Sequence, residues 1–272
     1  MNNLHRELAP ISDAAWQQIE EETTRTIKEY LGGRRVVDVP SPRGIAFPGV
    51  ATGHLVSIAS PAKGLTANQL EVKPLVQLRV PFELSRQAID DVERGAEDSN
   101  WQPAKDAAKI LAFAEDRAIF DGYQAASIQG IRQGTSNPIK ALPEDVRNYP
   151  DTIAEALNQL RLVGVNGPYS VLLGAAEYTG LAETRDSGYP VLEHVKRIID
   201  GNIVLAPAIS GAFVLTMRGG DFELNIGQDV SIGYLSHTDA VVRLYLQETF
   251  TFRVLTSEAS VAISPTSKRA GK

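Results

Sequence analysis

One run of residues near the C-terminal end sets the strictest limit on what this chain can build. From Ala240 to Leu255 the sequence alternates, with Val242, Leu244, Leu246, Phe250, Phe252 and Val254 on one face and Arg243, Tyr245, Gln247, Thr249, Thr251 and Arg253 on the other. Fully extended, that is a strand of roughly 50 Å, longer than most single domains use. Glu248 interrupts the apolar face. It reads either as a solvated strand end or local bulge, or as a charge partner at a subunit contact.

The rest of the chain supplies elements of more usual size. Trp16, Ile19, Thr23, Ile27 and Tyr30 recur at spacings of three and four, so an amphipathic helix is predicted from about Ser12 to Leu31, ended by Gly32-Gly33. From Pro40 to Pro74 the composition turns to Pro, Gly, Ser and Ala without a durable period. Loops of this length are uncommon inside a compact domain unless they form a hairpin or pack on something else, so the stretch reads as an arm. Leu75 to Leu84 alternates as a strand, which Pro81 restricts to an edge or a bulge. A second helix is predicted from Pro103 to about Tyr123, with Ala107, Ile110, Leu111, Ala114, Ile119 and Phe120 as its buried stripe. Between Gly130 and Gln228 short helices and strands alternate as an α+β lobe.

No chemistry announces itself along this framework. The chain has no cysteine, which removes disulfides, thiolate nucleophiles and Cys-ligated metals. Its four histidines, His5, His54, His194 and His237, are far apart in sequence, and no local metal motif is present. G-x-S-x-G, the P-loop and the dinucleotide fingerprint are absent. Asp90-Asp91 and Glu97-Asp98 read as solvated faces, and Trp101 as a packing residue at a helix start. A net charge of -6 argues against a surface made to neutralise phosphates. No apolar run approaches a membrane span, and the N-terminus lacks the pattern of a Sec signal, so a soluble chain is expected. An arm, a long strand, two lobes and no active site suit a subunit that assembles.

Motifs in order along the chain sharpen this. Leu8-Ala9-Pro10-Ile11 with Trp16, Gly33-Arg34-Arg35-Val36-Val37-Asp38-Val39, Asp91-Val92-Glu93-Arg94-Gly95, Gly167-Pro168-Tyr169, Gly188-Tyr189-Pro190, Arg218-Gly219-Gly220-Asp221-Phe222, Ile232-Gly233-Tyr234 and Arg243 to Phe252 closely resemble the encapsulins, bacterial and archaeal shell proteins. The resemblance runs from Leu4 to about Ser264 and implies an α+β fold like that of tailed-phage major capsid proteins. In that fold residues 1–43, 75–129 and 229–264 form a discontinuous peripheral domain, 44–74 an extended loop, 130–228 an axial domain and 265–272 a disordered tail. The arm and the long strand are then expected to be buried between subunits of an icosahedral shell of 60 copies.

The resemblance also implies partners. The N-terminal helix of the family lines the lumen and binds C-terminal targeting peptides of cargo enzymes, commonly a dye-decolorising peroxidase or a ferritin-like protein. Carried onto this sequence, the pocket uses Ile27, Tyr30, Leu31, Ile232 and Tyr234 as apolar walls, with Arg34, Asp38 and Asp229 for polar contacts. Haem or iron belongs to the cargo, and the shell itself holds no metal or cofactor. Some relatives stack a flavin on a Trp in the segment matching Leu84 to Asp91, where this chain has Gln87, so no shell-bound flavin is expected. Arg185, Asp186, Ser187 and Gly188 are expected in a loop around a five-fold pore, where Arg185 and Asp186 would tune the passage of small solutes. The shell is expected in the cytoplasm, with non-classical release to the medium as an added route, and without nucleic-acid or membrane partners. Two alternatives stay open: a bacteriocin- or protease-like secreted protein, for which no hydrolytic motif is present, and a phage-derived capsid packaging nucleic acid, which the acidic balance disfavours.

Overall fold

Helix formation begins where the sequence supplies a cap. Ser12 accepts the N–H of Ala15 at 3.3 Å and opens α1 (Asp13–Tyr30), which buries Trp16, Ile19, Thr23 and Ile27 on one side. The structure, a computed structural model, describes residues 3–265. The expected tail lies outside these residues except for Pro265, which ends the last strand.

The Pro- and Gly-rich stretch folds into a hairpin of β1 (Gly49–Ile58) and β2 (Ala67–Pro74), bulged between Ala51 and Leu55. Next come β3 (Val76–Ser85), α2 (Arg86–Glu93) and α3 (Gln102–Phe120), with Pro103 in the first turn of α3, where its missing N–H leaves no bond unmade. The stripe expected on α3 holds at Ala107, Leu111, Ile119 and Phe120. Ile110, however, is 58% exposed, while Glu115 and Asp116 are buried. The inward face of α3 is polar there because it binds the turn after α1.

The following residues form α4 (Ile131–Gly134), β4 (Lys140–Leu142), α5 (Tyr149–Leu162), β5 (Tyr169–Leu173), α6 (Ala175–Glu183), a hairpin of β6 (Arg185–Asp186) and β7 (Tyr189–Pro190), α7 (Val191–Ile198), β8 (Ile203–Leu205) and β9 (Ala212–Thr216). The chain closes with β10 (Phe222–Ile226), β11 (Ser231–His237), β12 (Val241–Val254) and β13 (Ser260–Pro265).

Two main sheets organise these elements. In the first, β12 is central: β3 covers one edge from Val241 to Phe250, and β10 and β11 lie in tandem along the other. The long strand is therefore present, but its neighbours belong to its own subunit, which corrects the expectation that it is buried between subunits. Pro81 lies opposite Tyr245 on β3, an outer strand, where a missing N–H is tolerated. The second sheet has the order β4-β13-β9-β5-β8. Residues 260–265 thus join the lobe that the sequence assigned to 130–228, and Phe222–Ile226 of that span joins the other sheet. Phe120, Phe213, Phe222, Phe250 and Phe252 belong to one apolar cluster that spans both sheets.

Candidate functional site: a groove between the first helix and a sheet edge

Two glycines follow α1 because nothing larger fits. A Cβ on Gly32 would lie 2.7 Å from the Cβ of Ala206, and one on Gly33 would lie 2.6 Å from Cδ1 of Ile119. Their N–H groups donate to the two carboxylate oxygens of Asp116, each at 2.8 Å. The next residue, Arg34, gathers three carboxylates: Nε and Nη2 donate to Glu115 at 2.8 and 2.5 Å, Nη1 to Asp229 at 2.8 Å, and Nη2 to Glu248 at 3.3 Å.

Glu248 is 1% exposed and faces this cluster inside its own subunit, so it is neither a solvated strand end nor a partner at a subunit contact. Burial pushes its carboxyl well above the usual carboxylate range, and the charge of Glu115 adds to this while Arg34 opposes it. Burial also works against the charge on Arg34, yet the bond to Glu115 and the surrounding carboxylates hold its pKa above the ordinary value.

Burial raises Asp116 as well, to about 7, against the pull of the two glycine N–H donors. The native chain then binds this proton more tightly than the unfolded one. Its contribution to stability is full below the ordinary value of 3.8 and is lost as pH rises through about 7, a change on the order of 4 kcal/mol. In thermal unfolding from about pH 5 to about pH 8, Asp116→Asn should lose less stability with rising pH than the wild type does. Parallel slopes for the two proteins would mean that Asp116 stays ionised throughout.

Beside this turn lies a groove of about 680 Å³. Thr23 and Ile27 line it from α1 and Leu31 from just after it, Ile232 from β11 and Val230 from just before it, and Leu4 from the N-terminal segment; Arg6, Glu20, Lys28, Arg34, Arg35 and Asp229 stand around it. Among the expected pocket residues, Ile27, Leu31, Arg34, Asp229 and Ile232 converge here. Tyr30, Asp38 and Tyr234 do not line it. Tyr30 packs edge-on against Phe113 at 5.6 Å, and the hydroxyl of Tyr234 meets Nδ1 of His237 at 2.6 Å. Asp38 accepts the N–H of Gly220 at 2.6 Å and lines a separate small hollow with Thr216 and Phe222. Arg34 and Asp229 are bonded to each other, so the charge they offer is already largely neutralised.

Reasoning from sequence missed Leu4, Thr23, Lys28 and Arg35 as groove residues. Thr23 sits in the apolar stripe of α1 and reads as packing, and nothing local marks Leu4 as a wall. The expected pore segment is apart from the groove: Arg185, Asp186, Ser187 and Gly188 are exposed on the β6–β7 hairpin. Ser187 (φ 49) and Gly188 (φ 86) form its two-residue turn, which requires both to be left-handed. Gln87 is exposed on α2. Among the described residues no helix is long and apolar enough to cross a membrane.

Comparison with known proteins gives this geometry a context. Residues 1–251 match a family described as an encapsulating protein for peroxidase. The chain is 60% identical over 264 residues to the type 1 encapsulin shell protein of Mycobacterium tuberculosis, covering 97% of this chain and 100% of that one. It is 53% identical over 265 residues to that of Brevibacterium linens, with the same coverage, and 42% identical to that of Rhodospirillum rubrum over the full length of both. In three dimensions it resembles the virus-like particle of Pyrococcus furiosus, with a TM-score of 0.62 at 16% identity over 90% of this chain and 98% of the other. Gordonia phage Cozz gives 0.55 at 16% identity over 85% of each chain. These two likenesses establish the capsid fold.

Proposed function

This chain belongs to the family of type 1 encapsulin shell proteins, and from that premise we propose that the groove between α1 and β11 holds the C-terminal targeting peptide of a cargo enzyme inside the closed compartment. The family makes the chain a structural subunit of a capsid-like shell, not an enzyme. In this reading the shell is cytoplasmic, and the cargo is a dye-decolorising peroxidase or a ferritin-like protein, so haem or iron resides in the cargo.

The observation that carries the reading is the groove itself, apolar at Ile27, Leu31 and Ile232 and large enough for a few side chains of an extended peptide. A fluorescent protein ending in the C-terminal tail of the same organism's dye-decolorising peroxidase, co-expressed with the shell protein, should co-purify inside particles. Leu31→Ala should cut loading roughly tenfold in shells that still assemble, since it removes one apolar anchor. Equal loading of a tail-less fluorescent protein would sink the reading.

A further inference from the structure

Among the described residues β11 pairs with one strand, β12, along one edge. On its other edge the N–H of Tyr234 donates to the carbonyl of Leu4 at 2.8 Å, and the N–H of Val230 donates to Oδ1 of Asp229 at 2.8 Å. Alternation along the strand turns the N–H and C=O of Ile232 to that same outer side. There they make no hydrogen bond to any described residue. One rung of the sheet edge is therefore open beside the rung taken at Tyr234, and Ile232 lines the groove.

The facing wall carries a second unmet polar group. Thr23 is 3% exposed, lines the same groove, and its hydroxyl has no partner among the described residues. Three residues on, the hydroxyl of Thr26 does what a helical Thr ordinarily does and donates to the carbonyl of Glu22 at 2.8 Å. A buried hydroxyl left unpaired weakens the subunit unless something supplies a partner.

We infer that the groove binds its occupant as a short β-strand added to β11, the occupant's main chain bonding the N–H and C=O of Ile232 and its polar groups reaching the Thr23 hydroxyl. The occupant is an extended tail of a partner protein, seated end to end with the shell protein's own N-terminal segment, which already uses the next rung at Tyr234. Lys28 and Arg35 stand beside the groove without a carboxylate partner among the described residues, which favours a tail carrying an acidic group. Specificity then rests on apolar anchors and charge, because main-chain pairing accepts many sequences. This rests on the cargo-tail reading and adds the mode of recognition.

Hydrogen exchange on assembled shells, empty and loaded with the tail-bearing fluorescent protein, tests it. On loading, the amide of Ile232 should slow by at least about tenfold, with the change centred on 230–234. Thr23→Val should reduce loading about fivefold while raising the melting temperature of the empty shell, because it removes the unpaired hydroxyl. A purely structural Thr23 would leave loading unchanged. Full loading with no slowing at Ile232 overturns the added strand and leaves the groove reading standing. No loading of the tail overturns both.

Discussion

Particles should not form when Leu55 and Leu70 are both replaced by Glu. These residues face each other across the β1–β2 hairpin and are 62% and 70% exposed. Val72 shares their face, and Val56 and Ile58 occupy the opposite one, all exposed. A two-stranded hairpin with apolar side chains on both faces has no reason to persist in water by itself. Within a shell, a neighbouring subunit can cover it. Two ionised carboxylates at such a contact would each cost several kcal/mol and would recur at every copy. Among the described residues the hairpin pairs with no other strand of its subunit, so the variant should still fold. Size-exclusion chromatography with light scattering should find a megadalton particle for the wild type and a species near 29.4 kDa, or a small oligomer, for the variant, with unchanged circular dichroism. Normal particles from the variant would show that the arm stays uncovered between copies.

The second large effect is expected at Arg34. Glu115 is fully buried, Glu248 is 1% exposed, and Arg34 is the cation that bonds both. Arg34→Ala leaves buried carboxylates without it, and breaking a buried ion pair from one side costs about 3–5 kcal/mol. For a chain of this size that lowers the unfolding temperature by roughly 10 °C. Glu248→Gln should be mild by comparison, because burial already holds the Glu248 carboxyl well above the usual range and favours its protonated form. The raised value also fixes the pH trend: the stabilisation this group gives is present at low pH and is lost as pH rises through its native value. Adding Glu248→Gln to Arg34→Ala should recover part of the loss. A shift of under about 2 °C for Arg34→Ala would mean that water reaches these carboxylates.

Patterns set by single elements are legible in the linear sequence. The spacing from Trp16 to Tyr30 marked α1, the alternation from Val242 to Val254 marked β12, and Pro81 marked an outer strand, since each depends on the geometry of one segment. Residues whose role depends on what comes across from another element were misread. Ile110 fits the helical stripe of α3, yet its side chain is exposed between the buried Ala107 and Leu111, while Glu115 and Asp116 point inward to the turn after α1. Glu248 looked like an interruption until Arg34, far away in sequence, came within 3.3 Å of it.

The site divides in the same way. The family resemblance assigns Ile27, Leu31 and Ile232 to a pocket, and they do line one groove. The same resemblance assigns Tyr30 and Tyr234, but their rings turn to Phe113 and His237. By itself the sequence determined α1, β3, α3, β12 and the shell family, because periodicity and motif order are properties of a linear chain. Only the tertiary structure decided that β12 is covered by its own subunit, that one arginine bonds the carboxylates of Glu115, Asp229 and Glu248, and that Thr23 and the Ile232 edge share a groove. Those facts depend on contacts between segments as far apart as α1 and β11, and no local pattern encodes which distant backbone groups will find partners and which will be left without one.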